Sequence, residues 1–205
     1  MPTPLASIEH GSNSIWGNEV ELNSGKKILL NASSGKGKST FTTTIFGLRR
    51  DYTGTLSYDG KDIRDLTVDD WTEIRMKQIS VVFQDLQLFP QLTVQENLLL
   101  KNSLTDTYTE QELKILLERL EIDNKWSQKC GLLSMGQQQR VAIVRALSQP
   151  YAWLIMDEPF SHLDEENTQR CLKMLDERTT ELNASFVLTT LGDHHNFKFD
   201  EELNL

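Results

Sequence analysis

Two stretches of this chain carry residues of the types that handle phosphate. The first runs Ala32-Ser33-Ser34-Gly35-Lys36-Gly37-Lys38-Ser39-Thr40. It follows the apolar run Ile28-Leu29-Leu30 and opens a helical pattern, the context that G-x-x-x-x-G-K-[ST] requires. Gly35 and Gly37 let the backbone curl so that successive N–H groups of the loop converge on phosphate oxygens. Lys38 is spaced to reach the β- and γ-phosphates, and the Ser39 hydroxyl to ligate Mg2+. The helix starting near Ser39 aims its positive end at the same anion. Ala32 stands where the pattern has its first glycine; a positive φ there would cost about 1–2 kcal/mol. The second stretch, Tyr151-Ala152-Trp153-Leu154-Ile155-Met156-Asp157-Glu158-Pro159, is an apolar strand ending in two acids. Carboxylates at the C-terminal end of a buried strand fall in the crevice where open α/β sheets bind ligands. Asp157 is expected to hold Mg2+, directly or through water, and Glu158 to polarise an attacking water.

These residues need a scaffold, and the hydrophobic pattern supplies one. Apolar runs bounded by turn residues alternate with helical patterns, the βαβ signature of a mainly parallel sheet. The expected strands are 19–22, 27–30, 54–58, 79–83, 153–156 and 185–189. Asp59-Gly60 is a turn signal, so 54–63 is expected to carry an antiparallel piece. A helix over 110–120 places Leu113, Leu116, Leu117 and Leu120 on one face. A second over 165–182, capped by Asp164, buries Leu172, Leu175 and Leu182. The stretch from about 91 to 133 has helical patterns and reads as a helical insertion between two parts of the sheet.

Composition narrows the class further. A chain of 205 residues is long enough to bury one full α/β core without staples. Its net charge of −9 argues against nucleic acid as a partner, because phosphate-backbone contacts require a basic surface. Cys130 and Cys171 match no metal spacing and read as two reduced cytosolic thiols. The start, Met1-Pro2-Thr3-Pro4, has neither a basic segment nor an apolar core, so no secretory signal is expected. No apolar run approaches membrane-spanning length.

Between the two phosphate-handling stretches lies Leu133-Ser134-Met135-Gly136-Gln137-Gln138-Gln139-Arg140-Val141-Ala142-Ile143-Val144-Arg145-Ala146-Leu147. It resembles the signature motif of ATP-binding cassette (ABC) ATPases, commonly L-S-G-G-Q followed by Q-R-V-x-I-A-R-A-L. A serine and a small residue at a helix N-terminus offer a hydroxyl and free N–H groups to a phosphate. Met135 replaces one glycine, leaving Gly136 as the point of close backbone approach. Val81-Val82-Phe83-Gln84-Asp85 looks like the strand and glutamine of the family's Q-loop, and Ser161-His162-Leu163-Asp164 resembles its D-loop. Leu88 to Asn97 is similar to the corresponding segment of the lipoprotein-release and macrolide-export branch.

The resemblance covers nearly the whole chain and implies a P-loop NTPase core of ABC type. That core has a mainly parallel sheet, an antiparallel β region near the nucleotide and a helical subdomain at approximately 91–133, all within one domain over 1–205. The implied function is the ATP-binding and hydrolysing subunit of a transporter. Two such domains would sandwich ATP as a homodimer, and an integral membrane permease would dock near Gln84 and the helical subdomain. The location implied is cytoplasmic, peripheral at the inner face of the membrane. ATP and Mg2+ are the implied ligands, with Ser39, Gln84 and Asp157 holding the metal. Ser134, Met135, Gly136 and Gln137 would contact ATP bound to the partner subunit. For the adenine, spacing favours His10 and stacking strength favours Trp16. Two alternatives stay open: a regulatory or scaffold member that binds ATP with little hydrolysis, and a non-transport ABC ATPase.

One departure bears on the chemistry. The family places a switch histidine after the last core strand, whereas Phe186–Thr190 here runs into Leu191-Gly192-Asp193-His194-His195. Leu191 occupies the histidine's position and can neither donate a hydrogen bond nor carry charge. His194 takes the role if Gly192 shortens the path back to the site. Otherwise both histidines are solvated in a terminal loop. The departure bears on the rate of hydrolysis more than on nucleotide binding.

Overall fold

The computed structural model describes residues 1–33, 35–192 and 194–205. Its elements begin with β1 (Lys27–Asn31), α1 (Lys38–Ile45), β2 (Ser57–Tyr58), β3 (Lys61–Asp62), α2 (Val68–Lys77) and β4 (Ile79–Val82). They continue with α3 (Val94–Asn102), α4 (Glu110–Arg119), α5 (Met135–Leu147), β5 (Trp153–Asp157), α6 (Glu165–Glu181), β6 (Ser185–Thr190) and β7 (Glu201–Asn204). Short 3-10 turns occupy Thr3–Leu5, Asp123–Lys125 and Cys130–Leu132.

Five strands form one parallel sheet in the order β4-β5-β6-β1-β7. Parallel strands buried on both faces read as continuous apolar runs, and β1 shows how the faces divide. Leu29 joins the large core built by α3 to α6, while Ile28 and Leu30 pack with Phe41 and Val187 on the side of α1. The register pairs Asn31 with Thr190 and Asp157 with Thr189. The carboxyl ends of β1, β6 and β5 therefore lie side by side, and the loops that follow β1 and β5 leave the sheet at the same rim.

Helix starts follow local chemistry. Thr67, Thr93, Thr109 and Ser134 each close a capping box with the residue three ahead: Asp70, Glu96, Glu112 and Gln137. Asp164 caps α6 by accepting from the Asn167 amide at 2.8 Å. Helix α4 buries Leu113 and Leu117 completely, as the spacing requires.

Three strand expectations need correction. Residues 19–22 form no strand, because Glu19, Val20 and Glu21 are exposed and leave Leu22 alone to bury. The stretch 54–58 shortens to β2, which pairs antiparallel with β3 as a separate ribbon around Asp59-Gly60. Both turn residues have positive φ, 48° and 78°, as a two-residue hairpin turn demands. Strand β7 was not expected, since Glu201-Glu202-Leu203-Asn204 has no apolar run. It is an edge strand that borrows its order from pairing with β1. Among the described residues no helix is long and apolar enough to cross a membrane.

Candidate active site

The loop after β1 turns through Gly35 and Gly37, with φ of 79° and 103°. Ala32 takes no positive φ, so alanine in place of the first glycine brings no strain. Gly37 is required twice over. Its left-handed backbone starts α1, and a Cβ there would lie 2.6 Å from Leu5 Cδ1 and 3.3 Å from Trp16 Nε1. Ser33, Lys36 and Thr40 complete the described part of the loop; Ser34 lies outside the described residues. Lys38 is almost fully buried at 6% exposure. Its Nζ donates to the carbonyls of Ala32 at 3.1 Å and Ser33 at 3.4 Å. It also pairs with Glu158 Oε1 at 3.2 Å. The loop after β1 and the acids after β5 thus meet through an ion pair.

Asp157 closes β5 at 1% exposure. Burial raises its pKa from the ordinary carboxylate value, against hydrogen bonds from the Ser39 and Thr189 hydroxyls that act the other way. The Thr189 bond is 2.8 Å. Glu158 follows in the left-handed region with φ of 48°, uncommon for a residue with a side chain. Its amide is held at 3.3 Å by both the carbonyl and the hydroxyl of Thr189. Backbone strain of this kind persists where surrounding structure over-determines it, and such places cluster at functional sites.

Gln84, just past β4, accepts from Ser39 Oγ at 3.2 Å through Oε1. Ser39, Gln84 and Asp157 thus present hard oxygen donors in one place, the set that Mg2+ prefers. The loop after Gln84 is itself strained, with Leu86 and Gln87 at φ of 60° and 50°. Arg145 of α5 pins it by donating to both carbonyls at 2.6 Å. Among the described residues no group of three His, Cys, Asp or Glu side chains could hold a metal without other donors.

Residues 17–161 match the model of the ABC transporter family. The chain belongs to the ABC transporter family. The lipoprotein-releasing system ATP-binding protein LolD of Leptospira interrogans is 31% identical over 92% of this chain and 80% of that protein. The macrolide export ATP-binding/permease protein MacB of Syntrophobacter fumaroxidans is 31% identical over 85% of this chain, which spans 25% of MacB. The dimeric structure of MJ0796, a bacterial ABC transporter cassette, superposes with a TM-score of 0.79 at 28% identity, covering 90% of this chain and 84% of that one.

The stretch that resembles the ABC signature begins α5. Ser134 is its N-cap, its Oγ accepting from the Gln137 amide at 3.3 Å, while Met135 is exposed. A Cβ on Gly136 would lie 2.6 Å from the His162 carbonyl oxygen, so the signature and the D-loop touch through backbone. This signature face lies apart from Lys38 and Glu158 and lines a separate cleft with His162, Leu163 and Asp164.

The two histidines after β6 part company. His194 is exposed and sits 3.5 Å from Glu202 of β7. His195 lines a cleft of about 290 Å3 that also holds Glu158, Thr190 and Leu191, and its ring stacks edge-on against Phe160. Leu191 is exposed. The adenine candidates differ too. Trp16 donates to the Lys36 carbonyl at 3.2 Å and lines a cleft of about 420 Å3 beside Phe41. His10 is tied to the Leu5 carbonyl at 3.0 Å, and its buried Nδ1 has no hydrogen-bond partner among the described residues.

Sequence reasoning passed over Thr189 and Arg145. Thr189 leaves a sequence signal only once its strand is known to pair with the one that ends at Asp157. Arg145 sits inside the signature run, where its pattern reads as helix rather than as a clamp on a distant loop.

Proposed function

We propose that this chain is the ATP-hydrolysing subunit of a membrane transporter. It acts as a homodimer closed by ATP and drives an integral membrane permease from the cytoplasmic face. Residues 1–205 form one nucleotide-binding domain, with the helices of about 91–133 as an inserted subdomain. The observation that carries this reading is the convergence of Lys38, Ser39, Gln84, Asp157 and Glu158 at one rim of the sheet. Family membership and the names of the relatives support the transporter assignment.

The chain's own groups suit hydrolysis of a phosphoanhydride. Loop N–H groups and the start of α1 bind the phosphates, and Lys38 exchanges its loop carbonyls and Glu158 for phosphate oxygens. Glu158, freed of Lys38, takes a proton from the water whose oxygen attacks the γ-phosphorus as the bond to the β-phosphate oxygen breaks. Ser39, Gln84 and Asp157 would hold Mg2+, which draws charge from the phosphate oxygens. Trp16, already against the loop, is the better placed of the two residues to stack on adenine. Calorimetry tests the reading. Lys38→Ala should weaken Mg-ATP binding about tenfold or more, since a charge-assisted bond of this kind is worth roughly 1.5–3 kcal/mol. Unchanged affinity would overturn the assignment of the loop.

A second reading, ATP binding with slow hydrolysis, is favoured by one observation: Leu191 stands at the histidine position and His194 faces Glu202. An absent donor to a charged transition state removes about 10²–10³ in rate. Single-turnover assays decide between the readings. If His195 or His194 serves the γ-phosphate, its change to alanine lowers hydrolysis sharply. A slow parent on which both changes are silent establishes the second reading.

A further inference from the structure

Gln139 is buried at 2% exposure on α5, five residues past the signature serine, and the chemistry above does not use it. A buried amide must be satisfied, and this one is satisfied entirely by the D-loop. Its Nε2 donates to Ser161 Oγ at 2.9 Å, and its Oε1 accepts from the His162 amide at 3.0 Å. Ser161 and the His162 ring close the group at 3.0 Å, with Gln139 Nε2 3.4 Å from the same ring nitrogen. Beside it the Gly136 backbone abuts the His162 carbonyl, leaving no room for a side chain. Upstream, the Ser161 amide reaches the Glu158 carbonyl at 3.4 Å.

We propose that Gln139 is a positioning residue that fastens the signature helix to the D-loop. A shift of α5 on contact with a partner's nucleotide is thereby passed through Ser161 and His162 to Glu158 of the same chain. The route joins the face that meets one nucleotide to the carboxylate that serves the other. It rests on the sandwich reading for its consequence, but the tether itself is a property of the single chain. Side-chain amide bonds to backbone and hydroxyl hold their geometry only while both ends are rigid. Here one end is a capped helix and the other the short loop between a strained glutamate and α6.

Hydrogen exchange on the isolated chain reads the tether directly. In Gln139→Leu the His162 amide loses its acceptor and should exchange about tenfold faster, while amides in β5 and β6 stay as in the parent. Ser161→Ala, a change at an exposed residue, should do the same to a smaller extent and add little to Gln139→Leu when combined. Gln139→Glu, which keeps the acceptor, should restore protection of the His162 amide. In the Glu158→Gln background, ATP-driven dimerisation should weaken about tenfold in Gln139→Leu with nucleotide affinity of the monomer unchanged. Parent-like exchange at His162 in Gln139→Leu would overturn the tether. Faster exchange with parent-like dimerisation and turnover would overturn its role in coupling. A parent that never dimerises with ATP would remove the sandwich reading and the coupling together, and leave the tether to the exchange result.

Discussion

Replacing Glu158 by glutamine should separate binding from chemistry, and the structure gives the sign of both effects. The carboxylate lies 3.2 Å from Lys38 Nζ, with side-chain exposures of 18% and 6%. At that distance the gross attraction is about 5 kcal/mol with an effective dielectric near 20. Most of it is offset by the water both groups give up, and glutamine retains an oxygen that still accepts from the ammonium. With the ammonium contact retained, the net change is about 1 kcal/mol, the upper end of the range for solvent-exposed pairs. Phosphate must displace Glu158 from Lys38, so the competitor's loss should tighten ATP binding about fivefold. Turnover should fall at least about a hundredfold, because an amide cannot take the proton from water. Calorimetric titration with Mg-ATP and a steady-state phosphate-release assay on the same preparations check the two halves. Weaker binding in Glu158→Gln would refute the competition for Lys38, and parent-like turnover would refute the role as base.

Asp157→Asn tests the buried carboxylate. A pKa raised by burial means the folded state holds the proton more tightly than the unfolded one, so stability falls as pH rises through that range. The variant should melt above the parent at neutral pH, lose that advantage as pH falls through the raised value towards the ordinary carboxylate value, and need more Mg2+ for activity. Melting curves across pH read the sign directly, and a neutral-pH melting point below the parent's would refute it. Cys130 and Cys171 are both free and buried, their thiols pushed up to about 11 and about 12 by loss of water. Neither should react with a thiol reagent in the native protein near neutral pH, and both should react once it is unfolded. Rapid native labelling, read by mass, would count against this packing.

How much of this was open to inspection in the residues depends on the length scale of each cause. The glycine and lysine loop after β1, the acids after β5 and the helix caps are local: a glycine, a lysine or a threonine at fixed offset makes them wherever the chain goes. The strands that read as apolar runs were found because parallel strands buried on both faces carry no other pattern. Residues 19–22 failed for the opposite reason, an alternating stretch of which only Leu22 finds apolar partners while Val20 stays exposed. Strand β7 has no pattern at all and exists because β1 offers it an edge. The same division runs through the site. Lys38 and Glu158 were recognisable one by one, but their pairing is a consequence of strand order, and so is Thr189 facing Asp157. Positive φ at Glu158, Leu86 and Gln87 has no signal in those residue types, since each is held there by partners distant in sequence.

The acid balance of the chain bears on how such a site can take a polyanion. Lys38 is set against two carboxylates, Asp157 and Glu158, in a protein whose net charge is already −9. Side-chain charge at the rim therefore does not attract phosphate when summed over the three groups. What remains is directional: the N–H groups of the loop, the positive end of α1 and, on the proposed reading, the Mg2+ that Ser39, Gln84 and Asp157 would hold. Such sources act over a few ångströms, whereas the net charge acts over roughly a Debye length, about 8 Å at physiological salt. Affinity for nucleotide should thus depend strongly on loop geometry and on Mg2+, and weakly on distant surface charge. The Lys38–Glu158 pair fits this arrangement, since each group keeps the other from standing unpaired in a largely dry cleft until phosphate arrives. Gly37 then matters as much as Lys38, because a side chain there would push against Leu5 and open the loop that supplies the field.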